Sequence, residues 1–115
     1  MKVEDMDVYK RAHIFTLYMY KITSEFPKEE RYGLTSQIKR SSASINANLM
    51  EGSARKTNGE YRQFIHIARG SAEELRYHLI LARDLNFVSD LIANKCLDEL
   101  NEISKMLNGL LKVIK

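Results

Sequence analysis

Apolar residues recur every three or four positions along most of this chain, and that spacing constrains its fold more than any other feature. Steps of three and four return to one side of an α-helix, which turns about 100° per residue. The first such stripe consists of Val8, Ala12, Phe15, Met19, Ile22 and Phe26. Three later stretches repeat the pattern, and the predicted core face of the last consists of Ile92, Cys96, Ile103, Leu107, Leu110 and Ile114. The predicted helices cover about residues 6–26, 34–55, 59–86 and 89–114.

Residues with special backbone preferences mark the ends of these segments. Pro27 is expected to stop the first helix and Asn86 the third, because proline cannot continue a helix and asparagine tolerates a left-handed backbone. Gly70, in the middle of the third helix, is expected to permit close approach of a neighbouring helix. The predicted N-caps are Asp5 or Asp7, Asn58, and Ser89 or Asp90.

The fold class follows from helix length and from the scarcity of turn residues. Five glycines and one proline are too few for the many tight turns of an all-β domain. Long helices with short connectors favour an all-α, antiparallel up-down-up-down four-helix bundle. A length of 115 residues is typical of one domain, so residues 1–115 are predicted to form a single bundle.

Composition also limits the cellular compartment in which we expect the protein. One cysteine, Cys96, cannot form an intramolecular disulfide framework. No apolar run approaches the roughly 18 residues of a membrane span, so no membrane partner is expected. The acidic start MKVEDMDVYK does not resemble a signal peptide, and we expect a cytoplasmic protein.

Catalytic machinery is missing from the sequence. His13, His66 and His78 fall on three different heptad phases and form no metal-binding pair, and neither a glycine-rich phosphate loop nor a nucleophile elbow occurs. We therefore expect no enzyme activity, no metal and no cofactor. His78 occupies a core-facing position and is predicted to be a hydrogen-bonded core histidine, while Cys96 is predicted to act as a small apolar core residue.

The most regular charge pattern is a row of arginines seven residues apart. The row consists of Arg55, Arg62, Arg69, Arg76 and Arg83. Its last four members form one ridge along the third helix, roughly 32 Å long. Residues 31–83 hold nine Lys or Arg and four Glu, so the net charge of +3 conceals a basic middle.

Two interpretations of this basic middle stay open. Repeated cations can bind a phosphate backbone, and arginine binds phosphate bidentately. Arg62 and Arg83 have no acid three or four residues away on their own helix, which makes them the clearest probes of such binding. Alternatively, the arginine stems cover apolar surface, and their heads pair with acids of the fourth helix. Those acids are Asp98, Glu99 and Glu102. The predicted nucleic-acid contacts are Lys39, Arg40, Arg55, Lys56, Arg62, Arg69, Arg76 and Arg83.

The second helix has an apolar side that a single bundle does not need. Small residues and one methionine lie opposite its core-facing residues, which favours packing against another copy of the chain. A polar stripe from Gln37 to Arg55 is expected to form a buried hydrogen-bond network at that interface. Glu51 and Arg55 are spaced for an ion pair. The predicted oligomer interface comprises Ala43, Ala47, Met50, Ala54, Asn48 and Glu51.

Four sequence motifs resemble those of a known family. Residues 32–42 (YGLTSQIKRSS) resemble its signature YGLTSQIRRA. Residues 47–53 (ANLMEGS), followed by Arg55, resemble AN-x-x-EGS-x-R. Residues 67–75 (IARGSAEEL) resemble IA-x-GS-x-x-EL, and residues 79–85 (LILARDL) also fit.

On these motifs, from about Asp7 to Leu111, the chain resembles the small four-helix-bundle proteins encoded in intervening sequences of bacterial 23S ribosomal RNA genes. The resemblance implies a homopentameric ring with a basic surface, for which a nucleic-acid-binding role is proposed and no enzymatic activity is established. Similar proteins, the accessory variability-determinant proteins of diversity-generating retroelements, also bind a reverse transcriptase. Many members carry Pro where this chain has Asn46, so the second helix is expected to run straighter here.

These features favour a non-enzymatic homo-oligomer that binds nucleic acid, with structured RNA as the favoured target. Few aromatic residues accompany the cations, which does not favour base stacking. The alternative is a protein-interaction adaptor, such as an accessory subunit of a reverse transcriptase, whose cations meet an acidic partner protein. Salt-dependent binding to purified RNA separates the two.

Overall fold

Four helices account for most of the structure, a computed structural model that describes all 115 residues. The helices are α1 (Asp7–Thr23), α2 (Leu34–Ser53), α3 (Asn58–Asp84) and α4 (Asp90–Val113). Short 3-10 turns cover Val3–Asp5 and Lys28–Glu30. Each helix begins within one residue of its predicted start and ends within three of its predicted end.

Contacts between helix ends show that neighbouring helices run antiparallel. Late in α2, the Asn46 amide donates to the Tyr9 carbonyl oxygen near the start of α1, at 2.9 Å. α2 continues through Asn46 without interruption. At the start of α3, Arg62 donates to the Ile114 carbonyl oxygen just after α4, at 2.6 Å. The predicted up-down-up-down four-helix bundle is confirmed.

The core draws on all four helices. It forms one cluster of 21 buried apolar residues, because each helix turns its apolar stripe inward. On α4 the stripe is rotated relative to the prediction: Leu100 and Leu111 are buried, whereas the predicted core residue Ile92 is 37% exposed. Ala93, one position later, is buried in its place. No helix combines the length and the apolar character needed to cross a membrane.

Two helix ends follow the predicted stop signals. α1 ends at Thr23, three residues short of the prediction, and the Thr23 hydroxyl donates to the Met19 carbonyl oxygen at 2.7 Å. The residue before a proline is disfavoured in the helical region, so the chain turns ahead of Pro27 while Phe26 still packs in the core. Asn86 adopts a left-handed backbone with φ 63° beyond the end of α3, which confirms it as a stop.

Side-chain caps begin α3 and α4. The Ser89 hydroxyl accepts a hydrogen bond from the Ile92 amide at 3.2 Å, as predicted. The Thr57 hydroxyl accepts from the Glu60 amide at 3.1 Å, because Thr57 has the extended backbone of an N-cap while the next residue is already helical. The N-cap of α1 is Met6, without a side-chain hydrogen bond. The cap predictions for Asp5, Asp7 and Asn58 are therefore wrong.

Close helix approach occurs at Gly52 and not at Gly70. A Cβ at Gly52 would lie 2.6 Å from Cβ of Phe64 and 3.0 Å from Cδ1 of Tyr61. The end of α2 therefore packs directly on the start of α3. A Cβ at Gly70 would meet nothing within 4 Å, so the prediction for that glycine is wrong.

The polar stripe of α2 faces α3 of the same chain. Ser41 is buried and donates to the Gln37 carbonyl oxygen at 2.7 Å. The hydroxyls of Ser44 and Ser71 share a 2.8 Å hydrogen bond between α2 and α3, and the Asn48 amide donates to the Ser44 hydroxyl at 2.9 Å. Ser41 is fully buried within the single chain, whereas Ser44 and Asn48 are half-buried, so their place in an interface between copies stays a prediction.

Candidate nucleic-acid interface

The eight predicted cations do not gather into one patch. Lys39 and Arg40 are adjacent on α2 but face different helices. The Lys39 ammonium lies 5.0 Å from the ring centroid of Tyr20 on α1, whereas Arg40 pairs with Glu74 on α3. Arg55 and Lys56 belong to the turn between α2 and α3, and the remaining four form the arginine ridge: Arg62, Arg69, Arg76 and Arg83.

One end of the arginine ridge caps α4. Arg62 Nη1 donates to the carbonyl oxygens of Leu111 and Ile114, the latter at 2.6 Å. The last carbonyls of a helix have no partner within the helix, and they carry the negative end of its dipole. Arg62 therefore holds the end of α4 against the start of α3.

The other end of the ridge joins α3 to the start of α4. Arg83 Nε donates to Asp84 at 3.1 Å, and its Nη1 donates to the Asn94 side-chain oxygen at 3.1 Å. The expectation that Arg62 and Arg83 are the clearest phosphate probes is wrong. Both have structural partners that a search for acids three or four residues away does not find.

The middle of the ridge is the part without acidic partners. Arg76 is exposed and makes no hydrogen bond or ion pair with the protein. Arg69 is half-buried, and its only side-chain partner is His66 Nδ1, at 3.4 Å. Neither arginine pairs with Glu73, although helical spacing puts that carboxylate within reach of both.

Two of the three acids of α4 that were alternative partners of the ridge are engaged with cations outside it, and the third, Asp98, forms no ion pair. Glu99 forms a two-pronged ion pair with Arg11 of α1, at 2.8 and 2.9 Å. Glu102 pairs with Lys105 on its own helix at 3.4 Å. Pairing of the ridge with α4 carboxylates is therefore absent, and Arg69 and Arg76 remain open to an external anion.

Two more of the predicted cations are held by carboxylates. Arg55 Nη2 lies 3.0 Å from Glu51, which confirms the expected ion pair, and its guanidinium lies 4.7 Å from the Phe64 ring centroid. Such cation–π contacts add to the stability of the α2–α3 turn. Arg40 likewise shares the Glu74 carboxylate with His78.

His78 is a hydrogen-bonded core histidine, as predicted. Its Nε2 lies 3.0 Å from Glu74 Oε2, and its side chain is only 16% exposed. Burial, and secondarily the charge of Arg40, lowers the pKa of His78 below its ordinary value. Its Nδ1 is buried and has no hydrogen-bond partner.

Cys96 has the packing of an apolar residue, as predicted. It is buried between α1 and α4, and burial raises the pKa of its thiol to about 11. No three His, Cys, Asp or Glu side chains come together in a way that could hold a metal ion.

The outer face of α2 is exposed in the monomer. Ala43, Ala47 and Ala54 are exposed, and Met50 is 41% exposed. Glu51 lies at the edge of this face, paired with Arg55. The small residues and Met50 of the predicted oligomer interface therefore lie at the surface, and Asn48 is half-buried and bonds to Ser44 of its own helix.

A model of the family described as 23S rRNA-intervening sequence protein matches residues 4–109. The chain belongs to this family. The resemblance drawn from the four motifs is thereby confirmed. No curated protein matches the chain.

Among solved structures, the chain is similar to a protein of unknown function from the S23 ribosomal protein family of Bacteroides thetaiotaomicron VPI-5482. The TM-score is 0.81, with 23% sequence identity, over 91% of this chain and 98% of the other. At that identity the likeness shows the shared fold.

The family motif around residues 47–55 has a structural basis in this chain. Gly52 permits the close contact with α3, while Glu51 and Arg55 pair across one helical turn. The motif thus builds the junction of α2 and α3. Ser104 and Asn108 of α4 were missed by sequence reasoning, yet they line a groove beside Arg69. Neutral polar residues on an exposed helix face carry no sequence signal.

Proposed function

We propose that this chain is a non-enzymatic cytoplasmic protein that assembles with copies of itself and binds nucleic acid through phosphate contacts of its Lys and Arg side chains. The observation that carries the proposal is the open middle of the arginine ridge. Arg69 and Arg76 have no carboxylate partner although Glu73 is within reach. A phosphate can bind such guanidinium groups without first displacing a protein carboxylate. Membership of the family described as 23S rRNA-intervening sequence protein also supports the proposal of nucleic-acid binding.

The predicted cations differ in how many protein contacts each would have to give up to bind a phosphate. Arg76 and Lys56 are exposed and make no hydrogen bond, ion pair or cation–π contact, and Lys39 has only the Tyr20 ring as partner. Arg40, Arg55 and Arg83 would each have to leave a carboxylate. Arg62 would have to uncap α4. Phosphate binding should therefore depend most on Arg69, Arg76, Lys56 and Lys39.

Salt titration of nucleic-acid binding tests the proposal. We expect the wild-type affinity for a structured RNA to fall steeply with salt, because each phosphate contact adds roughly 0.9 to the log–log slope for a duplex and roughly 0.7 for a single strand. The substitution Arg76→Gln should lower that slope by somewhat under one unit and leave the melting temperature unchanged. Assembly repeats the site, so the observed change can exceed one contact.

Lys105→Gln provides the matched control. It also removes one exposed cation, but from the outer face of α4 where Lys105 pairs with Glu102. The slope of this variant should equal that of the wild type. Absence of salt-dependent binding to RNA and DNA, or equal slopes in all three proteins, would contradict the proposal and favour the adaptor function.

Self-assembly is supported by the outer face of α2. Small side chains let another backbone approach closely, and Met50 can adapt to an irregular surface. These residues are exposed in the single chain, so they are available to a second copy.

A further inference from the structure

An open groove lies between α3 and α4 beside the middle of the arginine ridge. Its volume is about 250 Å³, and no apolar side chain lines it. This volume is below the range of about 300–1,000 Å³ that drug-sized ligands occupy, so the groove suits a small polar unit. It is lined by His66, Arg69, Gly70, Glu73, Ser104 and Asn108.

The polar atoms of this groove are largely unused by the protein. Arg69 makes only the long contact with His66, at 3.4 Å. The side chains of Glu73, Ser104 and Asn108 make no hydrogen bond to the protein. The groove therefore offers one cation, one carboxylate, one hydroxyl and one amide to a molecule from outside.

Gly70 keeps the groove open. Glycine in the middle of a helix lowers helix stability relative to alanine. Close packing does not account for it, because a Cβ at Gly70 would meet nothing within 4 Å. The missing side chain leaves space on the groove wall, between Arg69 and Glu73.

We propose that this groove binds one ribose–phosphate unit of RNA, with Arg69 on the phosphate and Glu73 accepting a hydrogen bond from the ribose 2′-hydroxyl. The inference rests on the proposed function and deepens it, because it names RNA over DNA as the ligand.

The mixed charge of the groove selects this ligand. A bare anion that binds Arg69 is repelled by the Glu73 carboxylate. A ligand that carries a hydrogen-bond donor next to its phosphate can bind both side chains at once. The ribose 2′-hydroxyl is such a donor, and DNA lacks it. Ser104 and Asn108 can bond the remaining ribose oxygens. A-form RNA displays its 2′-hydroxyls in a wide, shallow minor groove, where exposed helix side chains can reach them.

Three probes of one hairpin sequence test the assignment: RNA, DNA and 2′-O-methyl RNA. The 2′-O-methyl probe keeps the phosphates and the A-form helix but removes the hydroxyl donor. Fluorescence anisotropy at one salt concentration should give the wild type a Kd for RNA that is roughly tenfold or more tighter than for 2′-O-methyl RNA, because a hydrogen bond to a charged carboxylate contributes at least that much.

Gly70→Gln should fill the groove and abolish this preference. Gly109→Gln is the matched control, because Gly109 is also a helical glycine whose Cβ would meet nothing within 4 Å, and it lies outside the groove. Both variants should melt no earlier than the wild type, since glutamine is the better helix former. Only Gly70→Gln should equalise the Kd values for RNA and 2′-O-methyl RNA.

Glu73→Ala separates the hydroxyl contact from general electrostatics. Removal of a negative charge should tighten binding of DNA and 2′-O-methyl RNA, while the preference for RNA over 2′-O-methyl RNA disappears. Equal binding of RNA and 2′-O-methyl RNA by the wild type, or a preference retained in Gly70→Gln or Glu73→Ala, would overturn the groove assignment and leave nucleic-acid binding intact. A wild type that binds none of the probes would overturn both proposals together.

Discussion

The buried imidazole of His78 makes the stability of the α2–α3 pair depend on pH. A neutral ring with its hydrogen on Nε2 donates to Glu74, 3.0 Å away, and leaves the buried Nδ1 bare. Protonation of Nδ1 would put an N–H group where no acceptor is available, close to the positive charge of Arg40. These two effects explain why the pKa of His78 is lower than its ordinary value, with burial as the larger cause.

Stability should therefore fall as the solution becomes acidic. The unfolded chain has a histidine pKa of about 6.5 and takes up the proton first, so the contribution of His78 is complete above about pH 6.5 and is lost as pH falls toward the folded pKa. Thermal melts at about pH 7.5 and about pH 5 should show a larger drop for the wild type than for His78→Gln, which can still donate to Glu74. Equal drops in both proteins would show that another group controls the acid response.

Among the elements, the α2–α3 pair depends on the absence of a side chain at Gly52. A methyl group there would lie 2.6 Å from Cβ of Phe64, which is closer than real Cβ contacts. Gly52→Ala should therefore destabilise the protein by about 1–3 kcal/mol, the usual cost of overpacking. Gly70→Ala should stabilise it by up to about 1 kcal/mol, because the new methyl group meets nothing and alanine favours the helix.

Urea unfolding of the two alanine variants measures both effects on one scale. The opposite signs are the test, since helix propensity alone would make both substitutions favourable. A Gly52→Ala variant as stable as the wild type would mean that α2 and α3 can separate at little cost.

The helices themselves could be predicted from sequence because apolar spacing is a local signal that repeats over many turns. Finer features of the same elements depend on the neighbouring helix. Both Ile92 and Ala93 fall within the apolar arc of α4, and only the position of the other helices decides that Ala93 is buried. The Thr57 N-cap, by contrast, could be predicted from local sequence, because Thr57 and Glu60 have the spacing of a capping box.

The candidate site was less predictable because its decisive partners are distant in sequence. The carbonyl acceptors of Arg62 lie 49 and 52 residues away. A search for acids at helical spacing covers only one turn of the same helix, so it finds no partner for Arg62. The prediction of close packing at Gly70 failed for the same reason, since a sequence does not show which atoms a glycine faces. The regular arginine spacing therefore predicted a ridge, but not which of its members are open to a ligand.

At the scale of the whole molecule, the proposed self-assembly and the proposed nucleic-acid binding should reinforce each other. One chain offers only two ridge arginines without structural partners, Arg69 and Arg76. A symmetric assembly repeats them around its axis, so several weak phosphate contacts act together on one nucleic acid. The exposed outer face of α2 is the surface through which we expect copies to meet. Dissociation of the assembly should therefore weaken nucleic-acid binding without altering any cation.

The double substitution Ala47→Glu and Met50→Glu should split the assembly. Both residues are exposed in the single chain, so the fold and its melting temperature should be retained. Within an interface, an uncompensated buried charge costs about 3–5 kcal/mol, enough to dissociate most assemblies at micromolar concentration. Light scattering should give a multiple of the chain mass for the wild type, with five copies expected from the family resemblance, and the mass of one chain for the variant.

Leu17→Glu is the control for this prediction. Leu17 is 58% exposed on α1, a different helix from the predicted interface, so its substitution adds a carboxylate to an exposed apolar site without changing an interface residue. This variant should keep the wild-type mass and the wild-type affinity for RNA. A wild type that is monomeric at micromolar concentration would refute self-assembly. An intact assembly in the double variant, together with a dissociated Leu17→Glu, would instead place the interface on α1, because the added charge then disrupts packing there.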